Sequence, residues 1–148
     1  MINLKLSIHD YISIKIHHTD LKLTGFIKSK LEPFNLAPEQ NLIMMLLWEK
    51  DGLTQNQIVE SLDKDKTNIA RMAANLENKD FIKRVQCNND RRSVRLYLTD
   101  KGKKLGEKVI PIAEEFNAIV CKGITEEELL QVEKVLSKMN ANVQNLND

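Results

Sequence analysis

Several features are scarce in this chain, and each scarcity removes a class of function. There are two cysteines, Cys87 and Cys121, 34 residues apart. That spacing is neither a disulfide framework nor a zinc-ligand pattern, so two free thiols are expected. The five glycines are scattered, and there is no glycine-rich phosphate loop, no nucleophile elbow and no recognisable pair of carboxylates. No enzymatic activity and no cofactor are therefore expected. The three histidines are His9, His17 and His18. Adjacent helical residues point about 100° apart, which keeps His17 and His18 from sharing one metal ion, so no metal site is expected. No apolar run approaches the roughly 20 residues that span a bilayer. The opening Met1-Ile-Asn-Leu-Lys-Leu lacks a basic segment followed by a sustained apolar one, so no secretory signal and no membrane partner are expected, and a cytoplasmic location follows.

What is present is a globular balance of residues: 148 in all, 42% apolar and 29% charged. That length suits one domain with a real core. The net charge of +1 says little, but its distribution says more. From Lys64 to Lys104 there are 12 Lys or Arg against five Asp or Glu, whereas the remainder has ten basic and 16 acidic groups. One basic stretch sits in an otherwise acidic protein, as contact with phosphate would require.

Along the chain, Ser7 followed by Asp10 predicts a helix start, and the helix should run to about Leu31 and end before Pro33. Its apolar residues fill more than one stripe, which implies more than one packing partner. Pro38 opens a second helix, to about Lys50. Thr54 and Gln57 form a capping box for a short helix over Gln55–Leu62. Asp65 caps a fourth, in which Ile69, Met72, Ala73 and Leu76 form the core stripe. Phe81–Cys87 and Val94–Leu98 read as strands, with Phe81, Val85 and Cys87 on one face and a turn-rich tip over Asn88–Ser93. Thr99 caps a fifth helix, which Pro111 should kink or split. Gly123 closes it, and Thr125 with Glu128 caps a last helix whose Leu129, Val132, Leu136, Met139 and Val143 form a helix–helix seam. The predicted fold is mainly α with a small β-hairpin: a winged helix-turn-helix with dimerisation helices at both chain ends. As a single domain it divides into a DNA-binding region at about 36–99, with the helix-turn-helix at 54–78 and the wing at 81–98, and helical dimerisation regions at 7–33 and 100–146.

Opposite the core stripe of the fourth helix lie Thr67, Arg71, Ala74 and Asn78, flanked by Asn68 and Asn75. An ordinary solvated helix face carries such a stripe too. Arg, Asn and Thr are also the side chains that read guanine, adenine and the thymine methyl in a major groove. Thr67, Asn68 and Arg71, near the helix N-terminus, are the expected base readers, with Asn75 a turn further along. Lys64, Lys66, Gln55 and Asn56 are expected phosphate contacts. The tip supplies Asp90, Arg91, Arg92 and Ser93. Two adjacent arginines suit a narrow AT-rich minor groove, and Asp90 can orient one of them. The expected partner is double-stranded DNA. The alternative is a winged-helix protein-interaction module that does not read DNA.

Gly52-Leu-Thr-Gln-Asn-Gln-Ile-Val-Glu-Ser-Leu, Leu76-Glu-Asn-Lys-Asp-Phe-Ile-Lys-Arg and Asp90-Arg-Arg-Ser-Val-Arg-Leu-Tyr-Leu-Thr-Asp-Lys-Gly resemble the MarR family of bacterial regulators. The resemblance implies a homodimer interlocked through its terminal helices, usually a repressor of a pseudo-palindromic operator and commonly released by a small ligand or an oxidant. It implies Thr67, Asn68 and Arg71 as recognition contacts, Arg92 as the minor-groove arginine and Asp90 as its partner. An effector pocket at the junction of the dimerisation and DNA-binding regions would draw on His17, His18, Met44 and Trp48. Three departures stand out. Asp80 replaces the usual Gly, Ala37 replaces a Ser or Thr cap, and the first helix lacks the cysteine of the hydroperoxide-sensing branch.

Overall fold

The computed structural model describes residues 1–147, and the side chains of all of these except 90–92 and 147. Six helices and one hairpin follow in the order α1 (Ile12–Leu31), α2 (Pro38–Glu49), α3 (Gln55–Leu62), α4 (Lys66–Asn78), β1 (Ile82–Cys87), β2 (Asp90–Leu98), α5 (Asp100–Val120) and α6 (Glu126–Asn147). They form two compact units, Met1–Glu114 and Glu115–Asp148. The first is a winged helix: α3 and α4 are the helix-turn-helix, and the antiparallel β1–β2 hairpin is the wing.

Local capping sets most helix starts. Thr54 Oγ1 accepts from the Gln57 N–H at 3.1 Å while Gln57 Oε1 accepts from the Thr54 N–H at 2.9 Å, so both directions of the box are made. Asp65 accepts from the Asn68 N–H at 2.7 Å, Thr99 from the Gly102 N–H at 3.0 Å and Thr125 from the Glu128 N–H at 3.1 Å. Each satisfies an N–H that the helix itself leaves unpaired. Ala37 has no side-chain acceptor, but Gln40 Oε1 takes the Ala37 N–H at 3.3 Å. Asp80 has φ 65°, the left-handed conformation that Asp tolerates better than most residues.

The chain's first helix differs from expectation. Ser7 heads only a 3-10 turn, Ile8–Asp10; Tyr11 is extended, and α1 begins at Ile12. No residue of that turn is buried, so no packed side chain holds it in line with α1. Pro111 does not split α5, which continues to Val120; proline removes one donor, and the neighbouring turns keep theirs. The wing also differs. Among its described side chains the buried ones are Ile82 and Leu96, on the face where Ile82 opposes Leu98 and Arg84 opposes Leu96. Val85, placed by alternation with Phe81, is 46% exposed. Strand β2 starts at Asp90, opposite Cys87, and the register shifts between Gln86 and Cys87. The ladder therefore outlasts the apolar alternation, because backbone pairing needs no apolar side chain.

The core of the first unit joins Leu31, Ile43, Met44, Leu47, Ile58, Leu76 and Leu96, with Ile69 and Ala73 of α4 fully buried and Met72 nearly so. That places the expected α4 stripe inward. On α1, Ile12, Ile16, Leu21 and Phe26 are exposed. In the second unit the α6 residues Val132, Leu136 and Val143 are exposed, as are Leu130, Val135 and Leu146. Among the described residues, no helix is long and apolar enough to cross a membrane.

Candidate nucleic-acid interface

The N-terminal ends of α3 and α4 meet the wing strand β2 around an open cleft of about 520 Å3. It is lined by Gln55, Asn56, Lys66 and Thr67, with Val59, Ala70 and Val94 as its apolar part. Four expected DNA contacts are thus neighbours, although they come from two helices. Unpaired N–H groups at helix starts favour anions, and Lys66 adds a full charge there. The Oε1 of Gln55 is buried without a hydrogen-bond partner.

Farther along α4, Thr67, Arg71 and Asn75 are exposed, opposite the buried stripe. Arg71 Nη2 donates to Asn68 Oδ1 at 2.6 Å, while the Asn68 backbone N–H is held by Asp65. This bond fixes which way the Asn68 amide faces, since its oxygen is taken and its NH2 is left to point outward. Two other expected contacts are engaged within the protein. Lys64 Nζ pairs with Glu39 Oε1 of α2 at 3.0 Å, so the ammonium braces α2 against the turn before α4. Ser93 is half-buried and its Oγ accepts from the Cys87 S–H at 3.6 Å. The side chains of Asp90, Arg91 and Arg92 lie outside those described.

The expected effector set is not brought together. Met44 is fully buried in the core. Trp48 packs against Gly106, and its indole N–H donates to the Gly102 carbonyl at 3.0 Å. His17 and His18 are exposed on α1, with ring centroids 6.4 Å apart. A buried Met and an indole with its donor satisfied pack within this unit. Among the described residues no group of three His, Cys, Asp or Glu could hold a metal ion.

The residues that brace this face are ones the sequence does not single out. Arg95 Nη1 donates to the Gly52 carbonyl at 2.8 Å, and Asp51 Oδ1 accepts from the Leu98 N–H at 2.9 Å, tying the wing to the turn before α3. Lys79, which ends α4, donates to Asn35 O and to Gln40 Oε1, both at 2.8 Å. Burial holds its ammonium below the usual lysine pKa. Glu77 of α4 accepts from the Arg84 backbone N–H at 2.9 Å and from its guanidinium at 3.0 and 3.1 Å. The backbone bond chiefly, with the guanidinium, holds the Glu77 carboxyl below its ordinary pKa against an opposing desolvation.

A depressed carboxylate pKa stabilises the fold above the unfolded value, about 4.3, and that contribution is lost as pH falls through the folded value. Both partners are about one-third exposed, which limits such a pair to about 1 kcal/mol. Glu77→Gln should therefore lower stability by up to about 1 kcal/mol at pH 7, and the gap from wild type should close on acidification below about pH 4. Urea denaturation across that pH range checks it; a gap that stays constant would show that the charge is not what matters.

Residues 36–94 match the model of the MarR family. Over that segment the chain is similar to the MarR family. The match spans α2 to the middle of β2 and so covers the cleft and the exposed face of α4. Over 118 residues the chain is 29% identical to the HTH-type transcriptional repressor MdtR of Bacillus subtilis (strain 168), covering 80% of this chain and 76% of that one. Two solved structures are similar in fold and sequence. One is the MepR–DNA complex of S. aureus, with a TM-score of 0.82, 29% identity and coverage of 89% of this chain and 98% of that one. The other is a MarR transcriptional regulator from Methanosarcina mazei Go1, with a TM-score of 0.75, 28% identity and coverage of 91% and 97%. MdtR is a transcriptional repressor, and the Methanosarcina mazei protein is a transcriptional regulator.

Proposed function

We propose that this protein is a sequence-specific regulator of transcription of the MarR family, acting as a homodimeric repressor on a pseudo-palindromic operator and released by a small-molecule effector. The observation that carries the reading is the two-sidedness of α4. Ile69, Met72, Ala73 and Leu76 are buried, while Thr67, Arg71 and Asn75 are exposed beside a cleft lined by Lys66 and the start of α3. A helix held so rigidly on one side presents its other side as a fixed surface, which base-edge recognition needs. That MepR was solved as a DNA complex on a similar fold adds support. The dimer reading draws on the apolar residues exposed on α1 and, separately, on α6; such surface is stabilised by burial at about 25 cal/mol per Å2.

Selection of bound duplexes from a random pool tests the reading. Two-fold related half-sites about one helical turn apart are expected. Failure to enrich any sequence would count against base reading, and enrichment of a lone half-site would count against the dimer. The wing is tested by changing Arg91 and Arg92 together to alanine. Duplex affinity should fall, and the slope of log affinity against log salt should become shallower by about 2, one for each lost phosphate-region cation. Undiminished affinity would instead favour a protein-interaction role for the winged helix.

A further inference from the structure

One rung of the wing is held from both edges. Arg84 of β1 opposes Leu96 of β2. The Leu96 backbone faces away from β1: its N–H donates to the Leu53 carbonyl at 2.8 Å, and its carbonyl accepts from the Gly52 N–H at 3.1 Å. In an antiparallel ladder the two residues of such a rung both turn their backbone groups outward. The Arg84 N–H accordingly lies on the opposite edge of the hairpin, where it donates to Glu77 Oε2 at 2.9 Å. The Arg84 guanidinium closes on Glu77 Oε1 with two further bonds, at 3.0 and 3.1 Å. The Leu96 side chain is fully buried. The turn before α3 therefore grips β2, and α4 grips β1, at the same height along the hairpin.

Glu77 lies in the last turn of α4, the helix whose earlier turns expose Thr67, Arg71 and Asn75. The turn at the wing's tip begins at Asn88, four residues beyond Arg84. At about 3.3 Å per residue, the tip stands about 13 Å out from the clamped rung. A tilt of about 10° at that rung would shift the tip by about 2 Å, enough to break a hydrogen bond about 3 Å long. A small slackening at Glu77 is thus magnified at the end of the wing.

We infer that Glu77 is a positioning residue for DNA recognition: through Arg84 it fixes the tilt of the wing against α4, so that the wing tip and the exposed face of α4 reach adjacent grooves of one duplex together. Its carboxylate acts on the wing and not on DNA. Two other roles make different predictions. A plain structural brace would alter folding stability and leave the wing's share of DNA affinity intact. A carboxylate facing DNA would repel phosphate, and its removal would raise affinity. The recognition half of this inference rests on α4 and the wing being the DNA-contacting elements; the geometric half does not.

The first arm of the test needs no DNA. Residual dipolar couplings of the backbone amides, measured on the full-length protein, report the orientation of β1 and β2 relative to α4. In E77A the couplings within α4 should stay as in wild type, while those of β1 and β2 should no longer fit the wild-type orientation. Couplings that fit it throughout would overturn the inference. The second arm is a double-mutant cycle on the selected operator. E77A should weaken binding about tenfold in the wild-type background and less than about twofold in R91A/R92A, because a residue that acts through the wing has little left to position once the wing's arginines are gone. An equal loss in both backgrounds, no loss in either, or a gain would overturn the role in recognition. A wing that reorients as described in a chain that selects no DNA would sink the regulator reading while upholding the clamp.

Discussion

Gly102→Ala is expected to be the most damaging single-methyl change in this protein, costing about 2–4 kcal/mol in stability. A Cβ on Gly102 would overlap the carbonyl oxygen of Phe81. That oxygen belongs to backbone that cannot swing aside, and it already accepts from the Thr99 N–H at 3.1 Å. Gly102 also caps with Thr99 through its own N–H and receives the Trp48 indole N–H on its carbonyl. Relief of the clash therefore has to move the start of α5, the start of the wing or the indole. Alanine is the better helix former by about 1 kcal/mol, which offsets only part of this. Gly106→Ala is the natural comparison. Its Cβ would meet Trp48 Nε1 at 2.8 Å, a side-chain atom that can yield, so a smaller loss of about 1–2 kcal/mol is expected. Urea unfolding of both variants decides the matter; equal losses, or a neutral Gly102→Ala, would mean that α5 slides along the wing more easily than this packing implies.

The largest functional effect is expected from Arg71→Ala. The side chain is exposed, so folding stability should change by less than about 0.5 kcal/mol. Affinity for the selected operator should fall by about 1–3 kcal/mol, whereas affinity for unrelated duplexes should fall far less. The 2.6 Å bond from Arg71 to Asn68 sharpens this expectation. Its loss frees the Asn68 amide to rotate, so specificity should relax at the position Asn68 faces as well as at Arg71's own. Arg71→Lys should not restore the operator affinity, because lysine lacks the planar fork that both holds Asn68 and pairs bidentately with guanine. Binding measured on operator and random duplex in parallel separates the cases. An equal loss on both would make Arg71 a phosphate contact.

What could be read without a structure is what short-range chemistry controls. Thr54 with Gln57, Asp65 with Asn68 and Thr125 with Glu128 are each three residues apart, and each forms the cap expected of it. The α4 core stripe was readable because helical periodicity alone decides which residues share a face. Strand periodicity put Val85 on one face with Phe81 and Cys87 but could not say that this face is exposed at Val85, since alternation gives two faces without saying which one is covered. The wing's first residues were missed because Asp90 to Ser93 carry no apolar signal, although their backbone still pairs.

The sequence by itself determined the element order, the helix caps, the buried side of α4 and the basic character of its neighbourhood. Tertiary structure alone decided which cations are spent internally. Lys64 is taken by Glu39, 25 residues away, and Lys79 by Asn35 and Gln40 at separations of 44 and 39. Met44 and Trp48 were likewise resolved as packing residues only by their distant neighbours. The physical reason is reach. A cap or a helical stripe is settled within a turn or two of chain, whereas the partner of a long cationic side chain is settled by whatever the fold brings within 3 Å of its tip.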